Sequence, residues 1–358
     1  MDRLLKACVI LGAGASSDIA GDGSSVILPA WRPPLAKDLF NIQGHPNYQE
    51  ILAKYPGAAF LTQSLAPKIS SGQISVENAL RSYAEHSNAL IRAHFKQIPP
   101  YIRDLIYCSS TRYTHDPSSY SQLIMDLLAE HPHELLFIVL NYDNFLESAL
   151  TSFNPNHQFD SINKYTSGYD HVKVVKLHGS INWFKQIAQD RHKYSWIDAV
   201  HRTDILTPFP ENEIFVIDSV TYTAEYRTTS GDRWVYPVLT APLAGKNSSN
   251  AVCPRSHINE LKQFLVNCHK FLIIGTSGLD EDLMILIDSA LEYDLGANLL
   301  VHIVDYGDGA DKASSRFQQS VRAFNNRIDP TNVFKSGFRE YLRHTLFNSF
   351  ANFGYDRG

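Results

Sequence analysis

Several short motifs in this sequence carry residue types that could act on a ligand. The first is Gly12-Ala13-Gly14, which follows an apolar run and precedes Ser16. Two glycines where a strand turns into a helix let the backbone approach a diphosphate, because no Cβ stands in the way. The third glycine of the dinucleotide-binding fingerprint is absent, since Ser17 takes its place. The turn therefore suits nucleotide binding and ordinary packing about equally well.

The second motif is Asn141-Tyr142-Asp143, directly after the apolar run Leu135–Leu140. Polar groups at the end of a buried strand face the crevice where α/β folds bind ligands. An asparagine amide both donates and accepts hydrogen bonds, which suits it to hold hydroxyl groups or water. Either Asn141 or Asp143 could instead cap the helix that follows. The motif alone leaves both interpretations open.

The third motif, His178-Gly179-Ser180, follows the apolar run Val172–Leu177. A histidine changes charge near neutral pH and can act as a general base. A lone histidine is more often a packing residue than a catalyst. Its position beside a glycine at the end of a strand shifts the balance for His178 toward a site.

Two further motifs follow later strands. Gly275-Thr276-Ser277 is another strand-to-glycine turn, with hydroxyl groups as hydrogen-bond donors. Asp305 ends the last apolar run, where a carboxylate could accept hydrogen bonds from a ribose. Asp305 could equally be a solvated loop residue.

The elements that must position these motifs are short apolar runs alternating with helical patterns. Runs of four to six apolar residues without strict alternation are typical of strands buried on both faces. The predicted strands are Ala7–Leu11, Leu135–Leu140, Val172–Leu177, Ile214–Ile217, Phe271–Ile274 and Leu299–Val304. Several lead through Gly, Asn or Asp into a helical pattern such as Asp280–Asp294. This order predicts an α/β fold with a doubly wound, Rossmann-like parallel sheet.

Two long stretches do not fit the strand–helix alternation. Residues Asn41–His131 are predicted to form a helical insertion with helices over Ser75–Lys96, Tyr101–Arg112 and Ser118–Glu130, the first ended by Pro99-Pro100. Residues 186–250 are rich in aromatic residues and prolines, and they predict a lid or small irregular module. We expect residues 1–358 to form one domain that contains both.

Composition excludes several classes of protein. The chain has 358 residues, 32 Lys plus Arg against 37 Asp plus Glu, and a net charge of −5, which gives no sign of binding to nucleic acid or anionic membrane. It has no P-loop motif and no signal peptide or transmembrane run, so we expect a cytoplasmic protein. The four cysteines lack paired spacing, which predicts neither a structural zinc site nor a disulfide framework. Only His192 and His201 would be candidate metal ligands.

The order of the motifs is more specific than any one of them. G-A-G-x-S, N-x-D, H-G-S, G-T-S and a terminal acidic residue, each after a strand, resemble the catalytic core of the sirtuins, the silent information regulator family of NAD-consuming enzymes. The resemblance covers Lys6–Asp18, Phe137–Leu150, Val174–Trp183 and Phe271–Asp305. It implies a sirtuin-like fold.

Departures from the deacetylase sirtuins are equally informative. Those enzymes carry a four-cysteine zinc module that this chain lacks, and a glutamine where Leu140 stands here. Residues 235–250 and Ile274–Leu283 look instead like the bacterial sirtuin-like effectors of phage defence, which as a family hydrolyse NAD+ and do not deacylate lysines. The resemblance therefore implies an NAD+ glycohydrolase that releases nicotinamide and ADP-ribose. Several such proteins are oligomers or work with a HerA-type ATPase, a prokaryotic Argonaute or a sensor domain.

The resemblance also assigns roles to residues. Asn141 would hold the ribose hydroxyls and the incoming water, His178 would act as the base, and Asp143 would bind the nicotinamide carboxamide or orient a neighbour. The diphosphate would be held by the backbone N–H groups of Gly12, Ala13, Gly14 and Ser16. The adenosine half would contact Gly275, Thr276, Ser277 and Asp305.

Two other functions remain open at this stage. Protein deacylation would use the same base on an acyl-lysine cosubstrate, although the missing zinc module disfavours it. A non-catalytic subunit would bind NAD or ADP-ribose without turnover. For an enzyme that consumes a shared cofactor we expect a homo-oligomer, because helices as long as those of the insertion usually bury an apolar stripe against another surface. The alternative is that these helices only cover the sheet.

Overall fold

A parallel sheet lies at the centre of this computed structural model. The structure describes residues 5–18, 33–35, 38–40, 48–70, 80, 82–111, 118–130, 133–167, 171–190, 192–203, 211–217, 233–239, 253–291 and 299–353. Its strands in chain order are β1 Leu5–Leu11, β2 His133–Val139, β3 Val172–Lys176, β4 Gly179–Asp190, β5 Ile214–Val216, β6 Arg233–Leu239, β7 Lys270–Ile274, β8 Leu300–Val304 and β9 Val333–Phe334. Within these residues six strands form one sheet in the order β3-β2-β1-β7-β8-β9, and all of its pairs are parallel.

Both faces of this sheet are covered by helices, because its strands are apolar on both sides. In β1, Cys8 and Ile10 point to one face, while Ala7, Val9 and Leu11 point to the other. Against the first face lie the helices Arg255–Leu265, Glu281–Ala290 and Asp308–Ser320. Against the second face lie Ser118–Met125 with its π-helical extension Asp126–Glu130, Phe145–Phe153, Phe338–Arg343 and Thr345–Asn352. The predicted doubly wound α/β fold is confirmed.

A second sheet follows His178 directly, and the sequence did not predict it. Strands β5, β4 and β6 form an antiparallel sheet in the order β5-β4-β6. The run Ile214–Ile217, predicted for the parallel sheet, therefore belongs to this second sheet. In β4 the neighbours Trp183 and Phe184 are both buried and join different apolar clusters. A register shift between Gly179 and Phe184 breaks the alternation by which a half-buried strand is recognised.

The region between β1 and β2 is helical in its described residues. Its helices are Tyr48–Lys54, Pro56–Ser70, Ala89–Phe95 and Ile98–Thr111. They share a core with Ile181, Phe184, Val235 and Leu239 of the second sheet. The short helices Lys164–Ser167 and Trp196–Arg202 precede β3 and follow β4.

The prediction of one helix over 75–96 is wrong at residues 85–88, which separate helical residues 82–84 from the helix Ala89–Phe95. Residues 85–88 leave the helix, and Asn88 caps a new one by accepting a hydrogen bond from Leu90 N at 2.8 Å. Ser75, the predicted cap, lies outside the described residues. Pro99 and Pro100 do not end a helix but stand in the first turn of Ile98–Thr111, where a missing N–H group costs nothing.

None of the described helices is long and apolar enough to cross a membrane.

Candidate functional site

The motif residues gather at one edge of the parallel sheet, where its strands end. Leu11 is paired with both Val139 and Ile274, and those two strand ends are paired in turn with Lys176 and Val304. The residues two positions past these aligned ends are Ala13, Asn141, His178, Thr276 and Tyr306. Asn141 and His178 therefore follow neighbouring strands at the same edge, which is where α/β folds bind ligands.

The two glycine turns pack directly against each other. Gly12 N donates to Ile274 O and Gly14 N donates to Gly275 O, each at 2.9 Å. A Cβ built on Gly14 would lie 2.7 Å from Gly275 Cα, and Gly275 has a φ of +63°. Both N–H groups are thus satisfied within the protein, which differs from the expectation that they hold a diphosphate. Ala13, half-buried between them, is the member of the motif that stays a candidate.

Asn141 is held by a buried hydroxyl network. Its Nδ2 donates to Ser16 Oγ at 2.7 Å, and Ser16 Oγ shares a hydrogen bond with the Tyr120 hydroxyl at 3.2 Å. The amide is 5% exposed, and its Oδ1 has no hydrogen-bond partner among the described residues. Ser16 thus lies with its side chain beneath Asn141, where it orients the amide. Tyr120 was not predicted.

Asp143 belongs to a buried ionic cluster. Its carboxylate accepts from Phe145 N at 3.3 Å, while its backbone carbonyl accepts from Lys176 Nζ. Lys176, fully buried, also pairs with Glu147 Oε1 at 2.9 Å. Burial raises the pKa of Asp143 and of Glu147, and the positive charge of Lys176 offsets part of that rise. The geometry favours helix capping and orientation of neighbours over direct contact with a ligand.

His178 contacts a residue that was not predicted as part of the site. Its Nε2 lies 2.5 Å from Asp280 Oδ2, with the two side chains 17% and 16% exposed. Burial acts to raise the pKa of Asp280, but the charge of His178 and its hydrogen bond outweigh burial, so the pKa lies below its ordinary value.

The residues expected to contact an adenosine lie further along the same edge. Thr276 is buried and its Oγ1 accepts from Gly278 N at 3.3 Å. Ser277 is exposed, and its carbonyl accepts from Arg316 at 2.6 Å. Asp305 is half-buried and accepts from Tyr306 N at 2.8 Å. The structure places these residues at the same edge of the sheet as the glycine turns.

In the part of the chain that the structure describes, no three His, Cys, Asp or Glu side chains lie close enough to share a metal ion. His201, one of the two fallback ligands, contacts Gln97 through its Nε2 at 3.1 Å. Metal independence stays a prediction.

The residues that sequence reasoning missed are Tyr120, Glu147, Lys176 and Asp280. Lys176 had a visible signal, since a lysine at the end of an otherwise apolar run needs a buried partner. The sequence identifies Asp280 only as the first residue of the predicted helix Asp280–Asp294. Tyr120 gave no signal, because its partner Ser16 is far away in sequence.

Comparisons with known proteins give a family match and several similar solved structures. A crystal structure of Sir2 with the inhibitor EX-527, 2'-O-acetyl-ADP-ribose and a deacetylated p53 peptide covers 97% of this chain and 94% of its own, at 11% identity and a TM-score of 0.41. A Sir2 homolog–NAD complex covers 90% and 91%, at 13% identity and a TM-score of 0.37. The search of curated proteins gave no match. A SIR2-like domain family matches residues 135–323, more than half of the chain and a range that contains Asn141, His178 and Asp280. The chain therefore belongs to the SIR2-like domain family.

Proposed function

We propose that this protein is an NAD+ glycohydrolase, which converts NAD+ and water into nicotinamide and ADP-ribose. Membership of the SIR2-like family implies an NAD-binding activity of the sirtuin type. The observation that carries the proposal is the placement of Asn141 and His178 at one sheet edge, with a buried acceptor on Asn141 that has no partner in the described part of the chain.

The orientation of the Asn141 amide fits a hydroxyl-bearing ligand. One N–H of Nδ2 is engaged by Ser16, whereas Oδ1, which can only accept a hydrogen bond, has no partner among the described residues and is the acceptor open to a ligand. A buried acceptor without a partner costs about 1–3 kcal/mol, so a donor is expected to complete it. Ribose hydroxyls and water are such donors. The amide therefore fits both the sugar and the attacking water.

NAD+ supplies a glycosidic bond whose leaving group, nicotinamide, departs as a neutral ring and needs no acid. Asn141 Oδ1 holds a ribose hydroxyl or the water in place. His178 takes a proton from the water as it attacks, or from the ribose hydroxyl. Ala13, Thr276, Ser277 and Asp305 are the proposed contacts of the diphosphate and the adenosine half.

We further propose that the protein acts in the cytoplasm as an effector of anti-phage defence through NAD+ depletion, in the manner of the sirtuin-like effectors that it resembles. An enzyme that consumes a shared cofactor needs restraint, and assembly into a homo-oligomer or with a HerA-type ATPase or Argonaute would provide it. Phe60 and Leu90, both more than half exposed on the helical region, offer an apolar surface for assembly. Light scattering at micromolar concentration should give a mass above one chain, and a monomer would contradict the oligomer.

The activity is tested by incubating the purified protein with NAD+ and measuring nicotinamide and ADP-ribose by chromatography. We expect release of both without added metal, and no stimulation by an acetylated peptide. Peptide-dependent release would indicate deacylation. NAD+ binding by calorimetry without any release would indicate a binding subunit and contradict the proposal.

Two variants and two matched controls locate the activity. Asn141→Ala and His178→Ala should each lower the rate of nicotinamide release at least about 10²-fold. Asn144→Ala changes a residue of the same loop whose side chain makes no capping bond, and His171→Ala changes the exposed histidine at the opposite end of β3. Both controls should retain wild-type rates. A folded His178→Ala variant with wild-type activity would contradict the mechanism.

A further inference from the structure

The contact between His178 and Asp280 joins two distant strands of the sheet. His178 follows β3 and Asp280 follows β7, and the strand order places β2 and β1 between them. Neighbouring strands lie about 4.8 Å apart, so these two strands are separated by roughly 14 Å. The loops after β3 and β7 must therefore reach toward each other along the edge that carries Asn141 and the glycine turn.

Asp280 is fixed independently of the histidine. Its Oδ1 accepts from Leu283 N at 2.9 Å, which caps the helix Glu281–Ala290. The second oxygen, Oδ2, is thereby aimed at His178 Nε2. Helix capping alone would need only one oxygen and would not require a histidine at hydrogen-bond distance from the other.

The chemistry of this contact determines the tautomer of the imidazole. An ionised carboxylate can only accept hydrogen bonds, so the proton must lie on Nε2. In the neutral imidazole Nδ1 then carries the lone pair, and Nδ1 is the atom that can take a proton. A histidine held in the opposite tautomer would present an N–H group where a base is needed.

We propose that Asp280 is a positioning residue of this site, which holds His178 in the Nε2-protonated tautomer so that Nδ1 serves as the base. The role in turnover rests on the proposed NAD+ hydrolysis, whereas the tautomer itself does not. Asp280 touches neither substrate nor reacting atoms and acts only through His178.

The test is the isosteric variant Asp280→Asn. Asparagine is as good a helix N-cap as aspartate, so the helix Glu281–Ala290 should keep its cap. Its amide can donate from Nδ2 toward Nε2, which favours the wrong tautomer of His178. We expect the kcat for nicotinamide release to fall about 10²–10⁴-fold with little change in KM, because a histidine in the wrong tautomer cannot act as the base.

The tautomer is read directly by nitrogen NMR of the His178 imidazole. The wild type should show a protonated Nε2 and a lone-pair Nδ1, and Asp280→Asn should reverse or mix them. The matched control is Asp329→Asn, another aspartate N-cap, whose side chain accepts from Thr331 N at 2.8 Å far along the chain. It should leave both the rate and the spectrum of His178 unchanged. If Asp280→Asn does not fold, Asp280→Ser keeps a capping oxygen but loses the reach to His178.

The outcomes separate this proposal from the proposed function. If the wild type releases no nicotinamide, NAD+ hydrolysis fails, while the NMR comparison still decides whether Asp280 sets the tautomer. If Asp280→Asn keeps both the wild-type rate and the wild-type tautomer, the positioning role is overturned. A variant faster than the wild type would overturn it too, because the contact would then be restraining the histidine.

Discussion

Replacing Lys176 by methionine should destabilise the protein far more than the loss of one surface charge. Lys176 lies fully buried between the carbonyl of Asp143 and Oε1 of Glu147, with its Nζ 2.9 Å from the latter. Methionine has a similar volume, so the change removes the charge and leaves little cavity. Two buried carboxylates then face each other without compensation. Breaking a buried ion pair in this way costs about 3–5 kcal/mol.

The loss of stability in Lys176→Met should also depend on pH, and the two buried carboxyl groups determine whether it grows or shrinks as pH rises. Burial already raises the pKa of Asp143 and Glu147, and Lys176 lowers both in part, so removing it raises them further. The folded state of the variant then binds more protons than the unfolded state. Stability therefore falls as pH rises, by about 1.4 kcal/mol for each pKa unit gained. The loss of stability relative to the wild type should therefore be smaller at about pH 5 than at about pH 8.

Urea unfolding followed by tryptophan fluorescence measures this effect, since Trp183 is buried in the adjoining core. Lys173→Met on the same strand is the control, because its ion pair with Glu260 is partly exposed and should be worth no more than about 1 kcal/mol. The double variant Lys176→Met/Glu147→Gln should recover most of the loss, as neutral replacements of buried pairs often do. If Lys176→Met is no less stable than the control, or if its loss of stability does not depend on pH, then Asp143, Glu147 and Lys176 do not form a buried, charged cluster.

Three further predictions concern the support of the site and the core behind it. Tyr120→Phe removes the hydroxyl that contacts Ser16, and nicotinamide release should fall by up to about tenfold as the Asn141 amide loses its fixed orientation, with about 1 kcal/mol lost in urea unfolding. Gly275→Ala places a Cβ 2.1 Å from Ala15 N at a φ of +63° and should lower the free energy of unfolding by more than about 3 kcal/mol. The control Gly307→Ala, at a φ of +51° with nothing within 4 Å of the new Cβ, should lower it by only about 1 kcal/mol. Equal losses for the two variants would contradict the close packing of the two glycine turns. Burial, together with the charge of Lys270, lowers the pKa of His302 from 6.5 to about 4. As pH falls from 6.5 to about 4, the unfolded state therefore binds a proton that the folded state does not, and about 3 kcal/mol of stability should be lost. In the His302→Gln variant, unfolding measured at several pH values should lack this contribution, and an unchanged slope would show that His302 titrates normally.

The parallel sheet could be predicted because its strands are buried on both faces. Such strands read as uninterrupted apolar runs, and the predicted runs Leu135–Leu140 and Val172–Leu177 end one residue beyond the strands β2 and β3. Strand β4 escaped the same reasoning, because polar residues such as Asn182 and Lys185 are buried beside its aromatic residues. Their burial depends on the helical region packed against that sheet, which no local pattern reveals.

Of the site, only the residues that directly follow predicted strands could be identified from the sequence. The positions of Asn141 and His178 follow from their strands, since the ends of parallel strands share one edge. The partners that fix their side chains, Ser16 for Asn141 and Asp280 for His178, lie more than 100 residues away. Those contacts depend on which loops bend toward each other, and that is a property of the assembled sheet.

The central place of β1 also affects how the protein is made on the ribosome. Leu11 pairs with Ile274, so β1 must wait for one of its two partner strands until about 260 residues later. At roughly 5–20 residues per second, the interval lasts between about 13 s and about 50 s. During this time an apolar strand has at least one unpaired edge, a condition that favours binding by chaperones. Because the glycine turn packs against Gly275 and His178 contacts Asp280, the edge of the sheet that carries Asn141 is assembled only after β7 has been synthesised.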